Sequence, residues 1–264
     1  MKIAIMTDLE GVAGVVDSVN WCNETSPYYE IAKDLLTLEV TAAIQGFREG
    51  GATEFFVIDG HGCGAINICL LDPAAEYSRG WVGPWPFGID KSIDAVAWVG
   101  QHAKAGTEKA HLCHTGSMNV IDFSVNGISI GEFGKFAFCA AELGIPSIFG
   151  SGDEAFTKEA QTLIPGIETV IVKRGVAIGS GEECDTDQYR IRNAGAVHLQ
   201  PIRARELIKE GAKKAAQRFA NGEFKVSMPA PPYESVVIYR HDAANPRREV
   251  RKQHPTSFIA LLNS

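Results

Sequence analysis

The sequence predicts an α/β protein, with a Rossmann-like three-layer α/β/α arrangement around a mainly parallel five-stranded sheet and a smaller α+β part behind it. Apolar runs of strand length alternate with helical patterns, as in doubly wound folds. The acids and imidazoles of the first half that could bind a metal directly follow such runs, as expected where parallel strands end at one rim. The sheet signals thin out later, so we expect a metal-binding catalytic domain over 1–165 and a smaller α+β domain over 166–264.

The elements alternate regularly along the first part of the chain. The first helix is predicted over Tyr29–Glu49, where apolar residues recur at helical spacing, and Gly50-Gly51 end it. A second helix is predicted from about Glu132 to Leu143, stopping at Gly144. Strands are predicted at 2–8, 54–59, 94–99, 146–150 and 169–173.

Glycine and proline mark the connections between these elements. The stretch 81–88 combines glycine, proline and aromatic residues and predicts an irregular loop. Asn126-Gly127 lies within an alternating stretch and predicts a β-hairpin. The polar, glycine-containing stretch 179–187 predicts another loop.

The C-terminal part gives weaker signals. Pro201 opens a long helix to about Asn221, at the position where proline costs least. Val236–Tyr239 and Phe258–Leu262 are short strand candidates.

Composition excludes several classes of function. Hydrophobic residues make up 45% and charged residues 22% of the 264 residues, an ordinary globular mixture. The formal charge of −7 argues against a nucleic-acid partner, which favours a basic face. No apolar stretch approaches the roughly 18 residues needed to span a membrane. The six cysteines form no C-x-x-C pair or disulfide framework. We therefore expect a soluble, cytoplasmic protein with reduced thiols.

Four metal-ligand residues follow three of the predicted strands. Asp8 and Glu10 follow the first strand, His61 the second and His102 the third. Two carboxylates and two imidazoles on one rim fit a hydrolytic zinc site, with room for a second metal ion. Asp59, two residues before His61, suits the role of orienting that imidazole.

Further candidates follow on the next segments. Glu132 opens the second predicted helix, where the helix dipole alone would favour a carboxylate. His111 and His114 lie on the loop after His102, and either could serve as base, acid or nucleophile beside a zinc site. The phosphate-binding patterns G-x-G-x-x-G after the first strand and G-x-x-x-x-G-K-[ST] are missing from the sequence.

Five stretches of the chain together resemble the zinc-dependent D-aminopeptidases, a family first known from a bacterial dipeptide-transport operon. The matching stretches occur in the same order over roughly residues 1–175. They are the D-x-E-G beginning at Asp8, the D-x-H ending at His61, Gly100-Gln-His-Ala, His114-Thr, and Asn126-Gly-Ile-Ser-Ile-Gly-Glu-Phe-Gly.

The resemblance implies a binuclear zinc site, with two ions per chain and Asp8 as the bridging ligand. Glu10 and His61 would complete one site, and His102 and Glu132 the other. It also implies that His114 is the catalytic histidine, although the loop between His102 and His114 is about one residue longer than expected, which keeps His111 in competition. The implied assembly is a self-compartmentalising homodecamer of two stacked pentamers.

The expected function is therefore that of a metallo-aminopeptidase acting on short peptides or aminoacyl amides, with a preference for D-residues implied by the resemblance alone. One alternative keeps the metals but changes the substrate to a non-peptide amide. Another is a metal-binding or small-molecule-binding protein that has kept the fold and lost turnover. The retained His114 argues against this last alternative, because a binding module needs ligands but no additional base.

Overall fold

The strands and helices follow the alternation predicted from the sequence. A computed structural model describes residues 1–79 and 84–264. Its strands are β1 (Lys2–Thr7), β2 (Glu54–Asp59), β3 (Ala75–Arg79), β4 (Ala95–Gln101), β5 (Val120–Val125), β6 (Ile128–Ser129), β7 (Ser147–Asp153), β8 (Glu168–Gly175), β9 (Ala196–His198), β10 (Tyr233–Tyr239) and β11 (Arg248–His254). Its helices are α1 (Ser18–Trp21), α2 (Tyr29–Glu49), α3 (Glu132–Glu142), α4 (Glu154–Leu163), α5 (Thr186–Arg192), α6 (Pro201–Ala220) and α7 (Phe258–Leu262).

The larger sheet has the strand order β3-β2-β1-β4-β7-β8-β9. The five predicted strands correspond to β1, β2, β4, β7 and β8, and they pair in parallel. The mainly parallel α/β class is thus confirmed, and edge strands β3 and β9 extend the sheet. Neither edge strand was predicted from the sequence. Strand β3 is only half-buried and β9 has only three residues, so neither contains an apolar run. Strand β9 runs antiparallel to β8.

Helices cover both faces of this sheet. Successive residues of β1 point to opposite faces, so Ile3 packs into the core beneath α2 and α6. Ala4 packs into the core on the other face, together with Phe133 of α3 and Phe156 of α4. Central strands buried on both faces explain why β1 and β4 read as continuous apolar runs.

A second, antiparallel sheet has the order β11-β10-β5-β6. The predicted hairpin joins β5 to β6, with positive φ values of 50° at Asn126 and 78° at Gly127. The strand predicted at Val236–Tyr239 lies within β10.

The strand predicted at Phe258–Leu262 is wrong, because this segment is helix α7. Ser257 caps its N-terminus by accepting a hydrogen bond from the Ala260 N–H, and Glu142 accepts hydrogen bonds from the N–H groups of Phe258 and Ile259. Side chains distant in sequence therefore satisfy the free helical donors, which a local apolar pattern could not indicate.

The remaining predictions concern connections and boundaries. The loop predicted at 81–88 lies partly outside the described residues, and the described 84–88 form turns. The loop predicted at 179–187 ends earlier, because α5 begins at Thr186 with Asp185 as its capping residue. Two strand pairs join residues on either side of position 165: β8 pairs with β7, and β10 pairs with β5. The division of the chain at residue 165 stays a prediction.

Among the helices of the described ranges 1–79 and 84–264, none combines the length and apolar character needed to cross a membrane.

Candidate metal centre

Three adjacent strands bring the first four predicted ligands to one rim. Strand β1 lies between β2 and β4, and all three run in the same direction. Asp8 and Glu10 follow β1, His61 follows β2, and His102 follows β4. Gly100 allows this close packing because its φ is +78° and a Cβ there would lie 2.0 Å from the carbonyl oxygen of Asp8.

One cluster of metal-ligand atoms consists of Asp8, Glu10 and His61, which we call the His61 group. His61 Nδ1 lies 3.2 Å from Asp8 Oδ1 and 3.1 Å from Glu10 Oε2. The other ring nitrogen, Nε2, lies 2.8 Å from the carbonyl oxygen of Cys22. A carbonyl only accepts, so Nε2 carries a proton, and Nδ1 is the ring atom that can take up either a metal ion or a second proton beside the two carboxylates.

A second cluster consists of His102, His114 and Glu132, which we call the His102 group. His102 Nε2 lies 3.7 Å and His114 Nε2 lies 3.5 Å from Glu132 Oε1. The two imidazole rings stack with centroids 4.1 Å apart. Each ring is oriented through Nδ1, which lies 2.8 Å from the Ala103 carbonyl in His102 and 2.9 Å from the Leu112 carbonyl in His114. In the neutral form of each ring, Nε2 is therefore the unprotonated atom.

Asp8 joins the two groups. Its Oδ1 faces His61 Nδ1 at 3.2 Å, and its Oδ2 faces His102 Nε2 at 3.1 Å. Glu10 Oε2 and His102 Nε2 are buried and have no protein partner in hydrogen-bonding geometry among the described residues. Buried polar atoms without partners are costly unless a ligand satisfies them. The donor set of carboxylate oxygens and imidazole nitrogens fits zinc ions.

The electrostatics of the two groups also favour a cation. Burial by itself raises the pKa of Asp8, but the neighbouring imidazoles of His102 and His61 outweigh burial and hold that pKa well below its usual value. Burial likewise lowers the pKa of His61, but Glu10 and Asp8 outweigh it and raise the pKa well above the usual value. The carboxylates that draw protons to these rings attract metal ions to the same atoms, so protons and metal compete.

Glu132, at the start of α3, is half-buried, and its Oε1 accepts a hydrogen bond of 2.6 Å from the N–H of Gly116. This bond connects α3 to the loop that carries His114. The sequence placed Glu132 at a helix start but gave no sign of this contact.

His111 lies apart from both groups. Its ring is buried, and Nε2 is 2.9 Å from the carbonyl of Val16 and 3.2 Å from that of Ala194. Burial, aided by the charge of Lys173, lowers the pKa of His111 to about 2, so the ring is neutral. Of the two loop histidines, His114 alone belongs to a cluster of metal-ligand atoms among the described residues.

Asp59 does not orient His61 as the sequence suggested. Its carboxylate accepts hydrogen bonds from the N–H of Ala65 at 2.9 and 3.0 Å and from the hydroxyl of Tyr77 at 3.0 Å. Asp59 thus shapes the loop that carries His61, and the Cys22 carbonyl holds the ring itself. No sequence pattern marks a main-chain carbonyl, so this contact was not predictable.

Gln101 is another neighbour that the sequence did not single out. Its side-chain amide donates to Asp8 Oδ2 at 3.2 Å. Its position in the sequence could have indicated this role, because Gln101 directly precedes His102 at the end of β4.

The two groups open into a cleft of about 740 Å³, which we call the rim cleft. Asp8, Glu10, His61, His114 and Glu132 all line it. A cleft of this size admits a small peptide.

The chain matches the family model for the M55 peptidases, described as D-aminopeptidase, over residues 1–248. The chain belongs to the D-aminopeptidase family. The D-aminopeptidase of Bacillus subtilis (strain 168) is 29% identical over 180 residues, which is 67% of this chain and 65% of that relative. The match therefore spans a little less than two thirds of the relative's length.

A solved structure, the Zn-dependent D-aminopeptidase DppA from Bacillus subtilis, a self-compartmentalizing protease, has a similar fold. The TM-score is 0.85 at 22% identity, and the match covers 100% of this chain and 94% of that chain. At this identity the likeness shows the fold. The match to the family model confirms the family predicted from the sequence.

Proposed function

We propose that this member of the D-aminopeptidase family is a zinc-dependent aminopeptidase with a binuclear site. Asp8 would be shared by the two ions, with Glu10 and His61 as the further ligands of the first ion and His102 and Glu132 as those of the second. The observation that carries this proposal is the position of Asp8, whose two carboxylate oxygens face His61 and His102 at 3.2 and 3.1 Å. Zinc bound there supplies a Lewis acid that polarises the scissile carbonyl and acidifies a water.

His114 is the proposed catalytic residue. Its Nδ1–H donates to the Leu112 carbonyl, so the ring is held with the basic Nε2 directed to the Glu132 side of the rim cleft. A held, unprotonated imidazole nitrogen can take a proton from an attacking nucleophile and return it to the leaving amine, or attack the carbonyl itself. Both roles use the same atom.

The proposed substrates are short peptides or aminoacyl amides with a free N-terminal amine. Asp8, Glu10 and Glu132 place three carboxylates in or beside the rim cleft, and an ammonium group is drawn to such a site. The preference for D-residues, the decamer of two stacked pentamers and the cytoplasmic location belong to the same proposal. Family membership supports the preference for D-residues, and the description of DppA as self-compartmentalizing supports the assembly.

Metal content and substrate specificity test the proposal together. Zinc-loaded protein should contain two equivalents per chain, and a chelator should abolish its hydrolysis of D-alanyl and L-alanyl p-nitroanilides. The N-acetylated forms should be poor substrates, because acetylation removes the ammonium charge. Equal or faster hydrolysis of the acetylated compounds would favour a general amidase instead. Metal binding without hydrolysis of any of these amides would favour a binding protein.

A further inference from the structure

Lys135 is a cation at the edge of the rim cleft, where burial lowers the pKa of its ammonium and the charge of Glu132 offsets part of that effect. It lies on α3 one turn after Glu132, a rise of about 4.5 Å along the helix. Its ammonium lies 4.2 Å from the centroid of the Phe123 ring. Within residues 1–79 and 84–264, no carboxylate lies within ion-pair distance of Nζ, and no hydrogen bond occupies it. A half-buried ammonium in this condition has capacity for an anion.

Phe123 and Gly116 are neighbours of Lys135 Nζ. Phe123 of β5 packs under it, and a Cβ on Gly116 would lie 3.9 Å from it. Gly116 is the residue whose N–H donates to Glu132. The ammonium is therefore close to the His102 group without contacting it.

The cleft continues past Lys135. A second cavity of about 310 Å³ lies between α3 and the antiparallel sheet, and it shares Gly116, Ser117 and Lys135 with the rim cleft. Lys135 thus stands where the two cavities join.

The other cation that lines the rim cleft is Arg190 of α5. Its guanidinium already pairs with Asp187 at 3.2 Å, and its side chain is 43% exposed. An exposed, paired guanidinium gains little from a further carboxylate. Lys135 is therefore the better anion-binding group.

We propose that Lys135 binds the C-terminal carboxylate of the substrate, so that free dipeptides are preferred to their amides and to longer peptides. The inference rests on the proposed function and names its substrate class. In a dipeptide the carboxylate lies about 4 Å from the scissile carbonyl carbon, comparable with the rise between Glu132 and Lys135. Each additional residue moves the carboxylate about 3.5 Å further away.

The test compares substrates that differ in one charge. The zinc-loaded enzyme is assayed with alanyl-alanine, its C-terminal amide, trialanine and alanyl p-nitroanilide, each as the D and L form. Wild type should favour the free dipeptide over its amide by about 10–100-fold in kcat/KM, the usual effect of a charged hydrogen-bonding partner. Lys135→Met should lose this advantage in kcat/KM on the free dipeptide. Its kcat/KM on the amide and on the p-nitroanilide should stay within about threefold of the wild-type value. Lys135→Arg should restore most of the advantage on the free dipeptide.

Matched variants separate this role from a structural one. Lys158→Met removes an exposed lysine of α4 and should leave every rate unchanged. Arg190→Met should leave the preference for the free dipeptide intact. Zinc content and thermal unfolding confirm that each variant is folded, and Lys135→Gln replaces Lys135→Met if the latter is not.

Several results would overturn the inference. They are equal rates of wild type on free dipeptide and amide, an equal loss of both rates in Lys135→Met, or loss of the preference in Arg190→Met. Hydrolysis of p-nitroanilides without any preference for a free carboxylate would refute the role of Lys135 but leave the proposed function standing. Failure of the zinc-loaded enzyme on every alanyl compound would refute both.

Discussion

Glu159 of α4 accepts a hydrogen bond of 2.9 Å from the main-chain N–H of Gly131, the residue before Glu132. Its other oxygen accepts one of 2.7 Å from the N–H of Lys104, two residues after His102. Gly131 permits this approach, since a Cβ there would lie 2.9 Å from Glu159 Oε1. One buried carboxylate therefore connects the two segments that carry His102 and Glu132.

Glu159→Ala should weaken zinc binding at the His102 group more than at the His61 group. The substitution leaves two buried N–H donors unpaired, at a cost of roughly 2–4 kcal/mol in the free energy of unfolding. Zinc titration and denaturant unfolding measure the two effects. Glu159→Gln should be milder, because its amide oxygen still accepts one of the bonds. Unchanged affinity for both ions in Glu159→Ala would contradict this positioning role, and Glu154→Gln on the exposed side of α4 is the control.

Asp8→Ala should be the most damaging ligand substitution. Asp8 faces both histidines, so its loss should remove both zinc ions, whereas Glu10→Ala should remove about one. Elemental analysis after dialysis against a zinc buffer gives the stoichiometry, with the exposed Glu54→Ala as a control. Retention of two ions by Asp8→Ala would refute the bridging assignment.

His114→Ala and His111→Ala should fail in different ways. His114→Ala should abolish turnover and keep zinc near the wild-type level, because the ring acts on the reaction in the proposed mechanism. His111→Ala should keep most activity per folded molecule but lose about 2–4 kcal/mol of stability, since its buried ring bonds two carbonyl groups. Loss of zinc in His114→Ala would make His114 a ligand. Full activity in His114→Ala with an inactive, folded His111→Ala would reverse the assignment.

Glu39 should make the folded state less stable as the pH rises. Burial raises the pKa of Glu39 from 4.5 to about 8, despite a hydrogen bond from the Ala13 N–H. The folded state therefore holds this proton more tightly than the unfolded chain, so stability falls between pH 4.5 and about 8. Neighbouring Lys173, whose pKa burial lowers from 10.5 to about 8, acts in the opposite direction and only above pH 8.

Glu39→Gln isolates this effect. The amide keeps an acceptor for Ala13 but does not ionise, so its stability relative to wild type should grow by roughly 2–4 kcal/mol from pH 5 to pH 8. Urea unfolding at several pH values measures it. A constant difference between Glu39→Gln and wild type across this range would show that Glu39 has the same pKa in the folded protein as in the unfolded chain, which would contradict the expected effect of burial.

The sequence predicted the central elements well, because their signals are local. Helix α2 matches the predicted bounds Tyr29–Glu49, and β2 matches 54–59. Segment Phe258–Leu262 was predicted as a strand because its apolar run resembles one, and the distant Glu142 decides that it is a helix. Edge strand β3 was missed because a half-exposed strand lacks an apolar run.

The candidate site also contains residues that the sequence predicted and a choice that only the fold decided. The order of the strands and the residues that follow them pointed to Asp8, Glu10, His61 and His102, since ends of parallel strands share a rim. The choice between His111 and His114 required the folded loop, which buries one ring against carbonyl groups and stacks the other on His102. No local pattern encodes which ring faces the cleft.

The sequence by itself determined the fold class, the family and the identity of the ligand-type residues, because these depend on residue types and their spacing along the chain. Tertiary structure alone decided the contacts made by groups distant in sequence. The Cys22 carbonyl orients His61, Glu159 holds the segments around His102 and Glu132, and Lys135 lies at the end of the cleft without an ion pair to any described residue. Such contacts arise when elements pack, and packing depends on the whole chain rather than on any local pattern.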